Sequence, residues 1–142
     1  LEDATGKDRA YLLAHPDITL QGQTLQILSK QIEQREKHIP LAQIRGKTEF
    51  YGREFIINGD VLEPRPESET MIELLFSVCK AEPCNIVDVG TGSGALSITA
   101  KLEIPEAEVI LTDIDPRCLE IAHQNAKKHR VVSMPAFFKT SC

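Results

Sequence analysis

The segment that most restricts what this chain can fold into is Asp88-Val89-Gly90-Thr91-Gly92-Ser93-Gly94. It closes a short apolar run of strand type, Asn85-Ile86-Val87-Asp88-Val89, and leads into a helix predicted over residues 95–102. A second apolar strand, residues 109–112, ends at Asp113. A second helix over Pro116–Lys128 carries Leu119, Ala122 and Ala126 on one face. Strand, helix, strand, helix in that order predicts parallel strands joined by a right-handed crossover, and so an α/β fold. Val131-Val132 is the candidate start of a third strand.

A strand that ends in three closely spaced glycines lets a ligand approach the backbone where side chains would obstruct it. Asp113 lies 19 residues past Gly94, at the end of the next strand. There an acidic residue accepts hydrogen bonds from ribose hydroxyls in nucleoside-binding α/β folds. Its neighbour Asp115 is expected to face solvent. Gly90-x-Gly92-x-x-Ala95 also satisfies the dinucleotide fingerprint, so an NAD-type ligand is an alternative, as is a glycine turn with no ligand. Asp88 favours a different nucleoside. A carboxylate beside the loop repels a pyrophosphate but suits the ammonium group of a methionine moiety. The candidate cofactor is therefore S-adenosyl-L-methionine.

Upstream the character of the chain changes twice. Residues 1–39 read as helix, with Arg9–Ala14 followed by a longer helix over 20–37 that Thr19 would cap. Leu25, Leu28 and Ile32 share one face of it, and Pro40 ends the region. Residues 47–58 read as a β-hairpin turning at Gly52. In Leu62-Glu63-Pro64-Arg65-Pro66-Glu67-Ser68-Glu69 the two prolines impose an extended segment, and Pro66 suits the first turn of a helix over 67–80. Met71, Leu74, Leu75 and Val78, widened by Ile72, Phe76 and Cys79, predict that this helix is largely buried.

The net charge is −5, which disfavours sequence-independent binding to nucleic acid phosphates. No apolar run approaches the roughly 18 residues of a membrane span. The N-terminus, Leu1-Glu2-Asp3-Ala4, resembles neither a signal nor a transit peptide, and a trimmed or truncated cytoplasmic protein is the expectation. Cys79, Cys84, Cys118 and Cys142 form no C-x-x-C pair and no zinc spacing. They are expected to be reduced, mostly buried thiols. His15, His38, His123 and His129 form no ligand motif and read as surface residues. No metal site is expected.

The hairpin Glu49-Phe50-Tyr51-Gly52-Arg53-Glu54-Phe55, the segment from Val61 through Glu69, the loop 88–94 and Thr112-Asp113-Ile114-Asp115-Pro116 together resemble the HemK-type release-factor glutamine methyltransferases. The resemblance covers about residues 7–129. It implies methyl transfer from S-adenosylmethionine to the glutamine side-chain amide of the Gly-Gly-Gln motif of class I peptide chain release factors. It also implies a fold: an N-terminal helical region and β-hairpin, then the first part of a Rossmann-like S-adenosylmethionine-dependent methyltransferase fold. The divisions it suggests are an incomplete helical release-factor-binding region over 1–46, a hairpin and connecting helix over 47–82, and a partial methyltransferase domain over 83–142. Gly90, Thr91, Gly92, Ser93 and Gly94 would wrap the methionine part of the cofactor. Asp113 would hold the ribose, and the segment 65–69, with Arg65 and Ser68, would lie over the cofactor. Helix capping alone is the other reading of that segment. Adenine-N6 nucleic-acid methyltransferases share the family's Asn-Pro-Pro-aromatic logic, but the acidic charge and Pro64-Arg65-Pro66-Glu67 point away from them.

Two departures stand out. Glu63 occupies a position that is usually apolar in the family, which is costly if the site is buried; Ser68 replaces a threonine and keeps the hydroxyl. The Asn-Pro-Pro-Tyr loop that orients the substrate amide in these enzymes is absent from the sequence, so no catalytic residue is assigned. An amide nitrogen is a weak nucleophile that needs such positioning, so cofactor binding without turnover is the expectation for this chain alone. Without the strand that carries that loop, residues 85–89 would form an open sheet edge. Self-association or marginal stability is then expected, with the Phe137-Phe138 tail a candidate cover for the exposed edge.

Overall fold

The computed structural model describes residues 1–79 and 84–131, and the backbone of 138–139. It divides into two compact units, Leu1–Arg45 and Gly46–Cys142.

The first unit is helical: α1 (Glu2–Thr5), α2 (Arg9–Ala14), α3 (Gly22–Glu36) and α4 (Leu41–Arg45). Asp8 caps α2 by accepting the Tyr11 N–H at 2.7 Å. The cap expected from Thr19 does not form. Gly22 has a φ of +58° and breaks the helical run, so α3 starts there, with Gln21 before it making no side-chain cap. Pro40 starts a helix as well as ending a region: its carbonyl accepts the Ile44 N–H at 3.1 Å, and α4 follows. None of the residues of α3 is buried; Leu25 and Ile32 are about half exposed.

The second unit begins with the antiparallel pair β1 (Lys47–Phe50) and β2 (Arg53–Ile56). Tyr51 and Gly52 both have positive φ, 51° and 68°, which is the two-residue turn whose twist matches the flanking strands. Phe50 and Phe55 are buried and meet edge to face, with ring centroids 6.3 Å apart. They enter a core with Ile72, Ala95, Ile98, Ala100 and Ala126. Burying two phenylalanine side chains contributes about 3–6 kcal/mol, which fixes the hairpin to the helices behind it. Polar straps add direction: Arg53 pairs with Glu103 at 2.5 Å and Glu54 with Lys128 at 2.8 Å. The Glu69 carboxylate accepts the Tyr51 N–H at 2.8 Å.

A 3-10 turn (Pro66–Ser68) with proline in its first turn leads into α5 (Glu69–Val78). Then come β3 (Asn85–Val89), α6 (Ala95–Glu103), β4 (Glu108–Asp113), α7 (Pro116–Lys128) and β5 (Phe138–Lys139). β3 and β4 are parallel, with Val87 opposite Ile110, and β5 pairs parallel with β4 to give the order β3-β4-β5. The third strand is β5; Val131 is not in a strand, and Val132 lies outside the described residues.

Four expectations are corrected here. The helix α5 is not largely buried: only Ile72 is, while Leu74 and Val78 are 61% and 75% exposed. Its apolar stripe lies against an edge strand, and no further strand covers it among the described residues. Phe138 does not fold over that edge; it pairs beside Thr112 on the far side of β4. Phe137, Lys80 and Cys142 lie outside the described residues. The thiols are not all reduced: Cys79 and Cys84 form a disulfide, because the end of α5 and the start of β3 bring their Cα atoms to 5.7 Å. Cys118 is a buried free thiol. Nor is His129 a simple surface residue. It is half-buried, its Nε2 lies 3.0 Å from the Glu54 carbonyl, and its ring packs on Phe55 at 4.7 Å.

Candidate functional site

The glycine loop leaves β3 at Val89 and is held by internal hydrogen bonds. The N–H groups of Gly90 and Thr91 both donate to the Thr112 carbonyl at 2.9 Å. Gly94 N–H closes a turn onto the Thr91 carbonyl at 2.9 Å. Gly92 N–H donates to the Asp113 carboxylate, also at 2.9 Å. Four of the five loop N–H groups therefore have acceptors within the protein. The loop offers a ligand open space more than a nest of N–H donors. That suits a cationic nucleoside better than a pyrophosphate, which needs such donors aimed at it.

The glycines differ in purpose. A Cβ added at Gly92 meets nothing within 4 Å, so the space beside it is open. One added at Gly94 would lie 3.0 Å from the Ala122 Cβ and 3.0 Å from the Ile98 Cδ1. Gly94 is thus a packing glycine that lets α7 approach the start of α6.

Asp88 is anchored from beneath the loop. The Thr91 hydroxyl donates to its carboxylate at 2.8 Å, and the buried Ser97 hydroxyl donates to the same oxygen. The two hydroxyls are 3.1 Å apart. Asp113 is buried, with one oxygen on Gly92 N–H and the other accepting Asp115 N–H at 3.0 Å. The carboxylate also faces the Cys118 thiol, which it helps to hold protonated, and its two oxygens have four lone-pair sites in all. Asp115 does not simply face solvent: its carboxylate caps α7 through Arg117 N–H at 2.9 Å. The Arg117 guanidinium at 2.7 Å holds its carboxyl below the ordinary aspartate range.

Asn125 holds the loop to the rest of the unit. It is fully buried, and its amide nitrogen donates to the Ser93 and Ile56 carbonyls, each at 2.9 Å. Its amide oxygen accepts the Ile56 N–H at 2.7 Å. One side chain thereby fastens the glycine loop to the hairpin.

A hollow of about 190 Å³ opens between the loop and the segment after the hairpin. Arg65, Ser68, Asp88, Gly90, Thr91, Gly92 and Ser93 all line it, so seven of the nine residues singled out from sequence converge there. Gly94 and Asp113 do not line it; they support it from behind and from the loop's flank. Neither Arg65 nor Ser68 makes a side-chain helix cap, while Pro66 and Glu67 occupy the first turn as helix-start residues do. Glu63 also lines the hollow, half-exposed, with one carboxylate oxygen accepting the Thr48 hydroxyl at 3.1 Å. An apolar position therefore tolerates a carboxylate here because the site is wet and the oxygen is hydrogen-bonded.

Sequence reasoning missed Phe50, Leu62 and Leu96 as lining groups, and Ser97 and Asn125 as supports. The one sequence signal was Asn125 itself, an amide on the otherwise apolar face of Leu119, Ala122 and Ala126. Among the described residues no cluster of three or more His, Cys, Asp or Glu side chains is arranged to hold a metal. No helix among them is long and apolar enough to cross a membrane.

Residues 68–140 match the family described as Methyltransferase small domain, and residues 1–46 match the PrmC N-terminal domain. A bifunctional methyltransferase of Rickettsia bellii is 35% identical over 92% of this chain and 28% of its own length. A release factor glutamine methyltransferase of Coxiella burnetii is 39% identical over 92% of this chain and 48% of its own. A solved ribosomal protein L11 methylase from Lactobacillus delbrueckii subsp. bulgaricus aligns with a TM-score of 0.44 at 29% identity, over 54% of this chain and 39% of that one. The chain thus spans about half, or less, of the length of these curated relatives. With the matched region covering half of its residues and enclosing the glycine loop and Asp113, the chain belongs to the methyltransferase small domain family.

Proposed function

We propose that this chain forms the cofactor-binding part of an S-adenosyl-L-methionine-dependent methyltransferase that acts on the Gly-Gly-Gln glutamine of class I peptide chain release factors. The observation that carries the reading is the convergence of Arg65, Ser68, Asp88 and the glycine loop on one hollow, in a loop whose N–H groups are mostly satisfied internally. The release-factor substrate rests on the similarity to release factor glutamine methyltransferases and on the match of residues 1–46 to the PrmC N-terminal domain. On this reading the 1–46 region contacts the release factor, 47–82 supplies the hairpin and connector, and 83–142 carries the cofactor fold. The setting is cytoplasmic, where release factors act.

The cofactor supplies an electrophilic methyl group on a sulfonium centre. The chain's own groups bind and orient it. Gly90 and Gly92 leave room for the methionine arm, Asp88 faces its ammonium group, and Arg65 suits its carboxylate. Asp113 offers its remaining lone pairs to the ribose hydroxyls. The substrate amide is not positioned by any residue assigned here, so binding is the measurable property of this chain.

Isothermal titration of the 142-residue protein with S-adenosylhomocysteine and with NAD tests the reading. Binding of the former and not the latter is expected, and tighter binding of NAD would overturn it. Asp113→Ala should weaken S-adenosylhomocysteine by roughly tenfold or more, the worth of a charge-assisted hydrogen-bond pair. An unchanged dissociation constant would remove the ribose assignment.

A further inference from the structure

We infer that Glu63 is a specificity-determining residue that distinguishes the methyl donor from the spent product by charge. The inference rests on the proposed S-adenosylmethionine site. Donor and product share adenine, ribose and the amino-acid group. They differ in one methyl and one positive charge, since the donor's sulfur is a sulfonium and the product's a neutral thioether. A group that senses that charge can hold the donor and let the product leave.

Two carboxylates line the hollow, Asp88 and Glu63. Asp88 belongs to the loop side and accepts two hydroxyls, from Thr91 and Ser97, on one oxygen. Its place at the end of β3 matches the ammonium group, which donor and product have in common. Glu63 belongs to the connecting segment. A single hydrogen bond, from Thr48 at 3.1 Å, fixes one of its oxygens and leaves the other without a protein donor among the described residues. Arg65, two residues on, supplies the hollow's cation for a ligand carboxylate. Glu63 is therefore the negative group left for the sulfonium. The site is open enough for water, so the contact acts as a partly screened charge interaction, worth roughly a three- to tenfold change in binding.

The experiment is titration of the full chain and of Glu63→Gln with S-adenosylmethionine and with S-adenosylhomocysteine, at low and high salt. Glutamine keeps the Thr48 bond and the side-chain volume, and far-ultraviolet circular dichroism checks that the fold is kept. The expected result is that Glu63→Gln weakens the donor by about three- to tenfold while the product changes by less than about twofold. The unsubstituted chain's donor preference should shrink at high salt, and the variant's should not. Equal losses for both ligands would place Glu63 on a shared group and overturn the inference while leaving the methyl-donor reading standing. So would no change for either. If the unsubstituted chain binds neither ligand, the methyl-donor reading itself fails and the inference falls with it.

Discussion

Replacing Asn125 with alanine removes a fully buried side chain that ties the glycine loop to the hairpin. The geometry of the hairpin explains why it matters. In a two-residue hairpin the closing pair, Phe50–Arg53, is hydrogen-bonded and the pairs alternate outwards, so Lys47–Ile56 is a pair without mutual bonds. The N–H and C=O of Ile56 then point away from β1. Asn125 meets both, at 2.7 and 2.9 Å, as a neighbouring strand would, and takes the Ser93 carbonyl as well. Alanine leaves three backbone groups unpaired. The Ser93 carbonyl is buried and the Ile56 groups are partly wet, so the loss should be about 3–5 kcal/mol at about 1–3 per buried orphan. That is a large part of the roughly 5–15 kcal/mol of a whole domain. Urea denaturation followed by circular dichroism should show a lower midpoint at an unchanged slope. Asn125→Asp should be at least as damaging, since it puts a carboxylate oxygen against two carbonyls. A loss below about 1 kcal/mol in both variants would refute the claim that this amide fastens the loop to the hairpin.

The loop glycines should separate into two kinds. Gly92→Val should abolish S-adenosylhomocysteine binding with the circular dichroism spectrum retained; both glycines have positive φ, +54° and +77°, so either valine strains the backbone, but Gly94→Val should lower the melting temperature more because its Cβ also meets Ala122 and Ile98 at 3.0 Å. The reverse pattern would undo the distinction. Acid should weaken the second unit. Hydrogen bonds from Lys128 and Lys47 bring Glu54 down to about 2 from 4.5, so its contribution is complete above pH 4.5 and fades towards pH 2. With half of the side chain exposed this amounts to at most about 1 kcal/mol. Burial lowers His129, so its contribution is complete above pH 6.5 and declines as the solution is acidified. Melting temperature should therefore rise with pH over the acid range, and a flat or falling profile would contradict both assignments. The open edge of β3, where Val87 and Val89 are 58% and 79% exposed beside Leu74 and Val78, should drive self-association at micromolar concentration. A monomer in the ultracentrifuge that melts cooperatively above about 60 °C would show the edge to be harmless.

The sequence by itself determined the local features. Glycines and prolines mark turns by their backbone restrictions, and apolar period marks strands and helices, so α2, the hairpin, β3, α6, β4 and α7 were all legible. The glycine loop and most of the residues around its hollow were legible for the same reason: their chemistry is written in consecutive residues. What depended on distant parts of the chain was not. An apolar stripe on α5 says that a face wants burial, and only the sheet order shows that nothing among the described residues covers it. Cys79 and Cys84 are unremarkable by spacing, and bond because a helix end and a strand start converge. Glu63 looked like a misplaced charge until Thr48, 15 residues earlier, came within 3.1 Å of it in a solvated hollow. Asn125 joins groups 32 and 69 residues away, a relation that no local pattern encodes because hydrogen-bond partners are chosen by position in space.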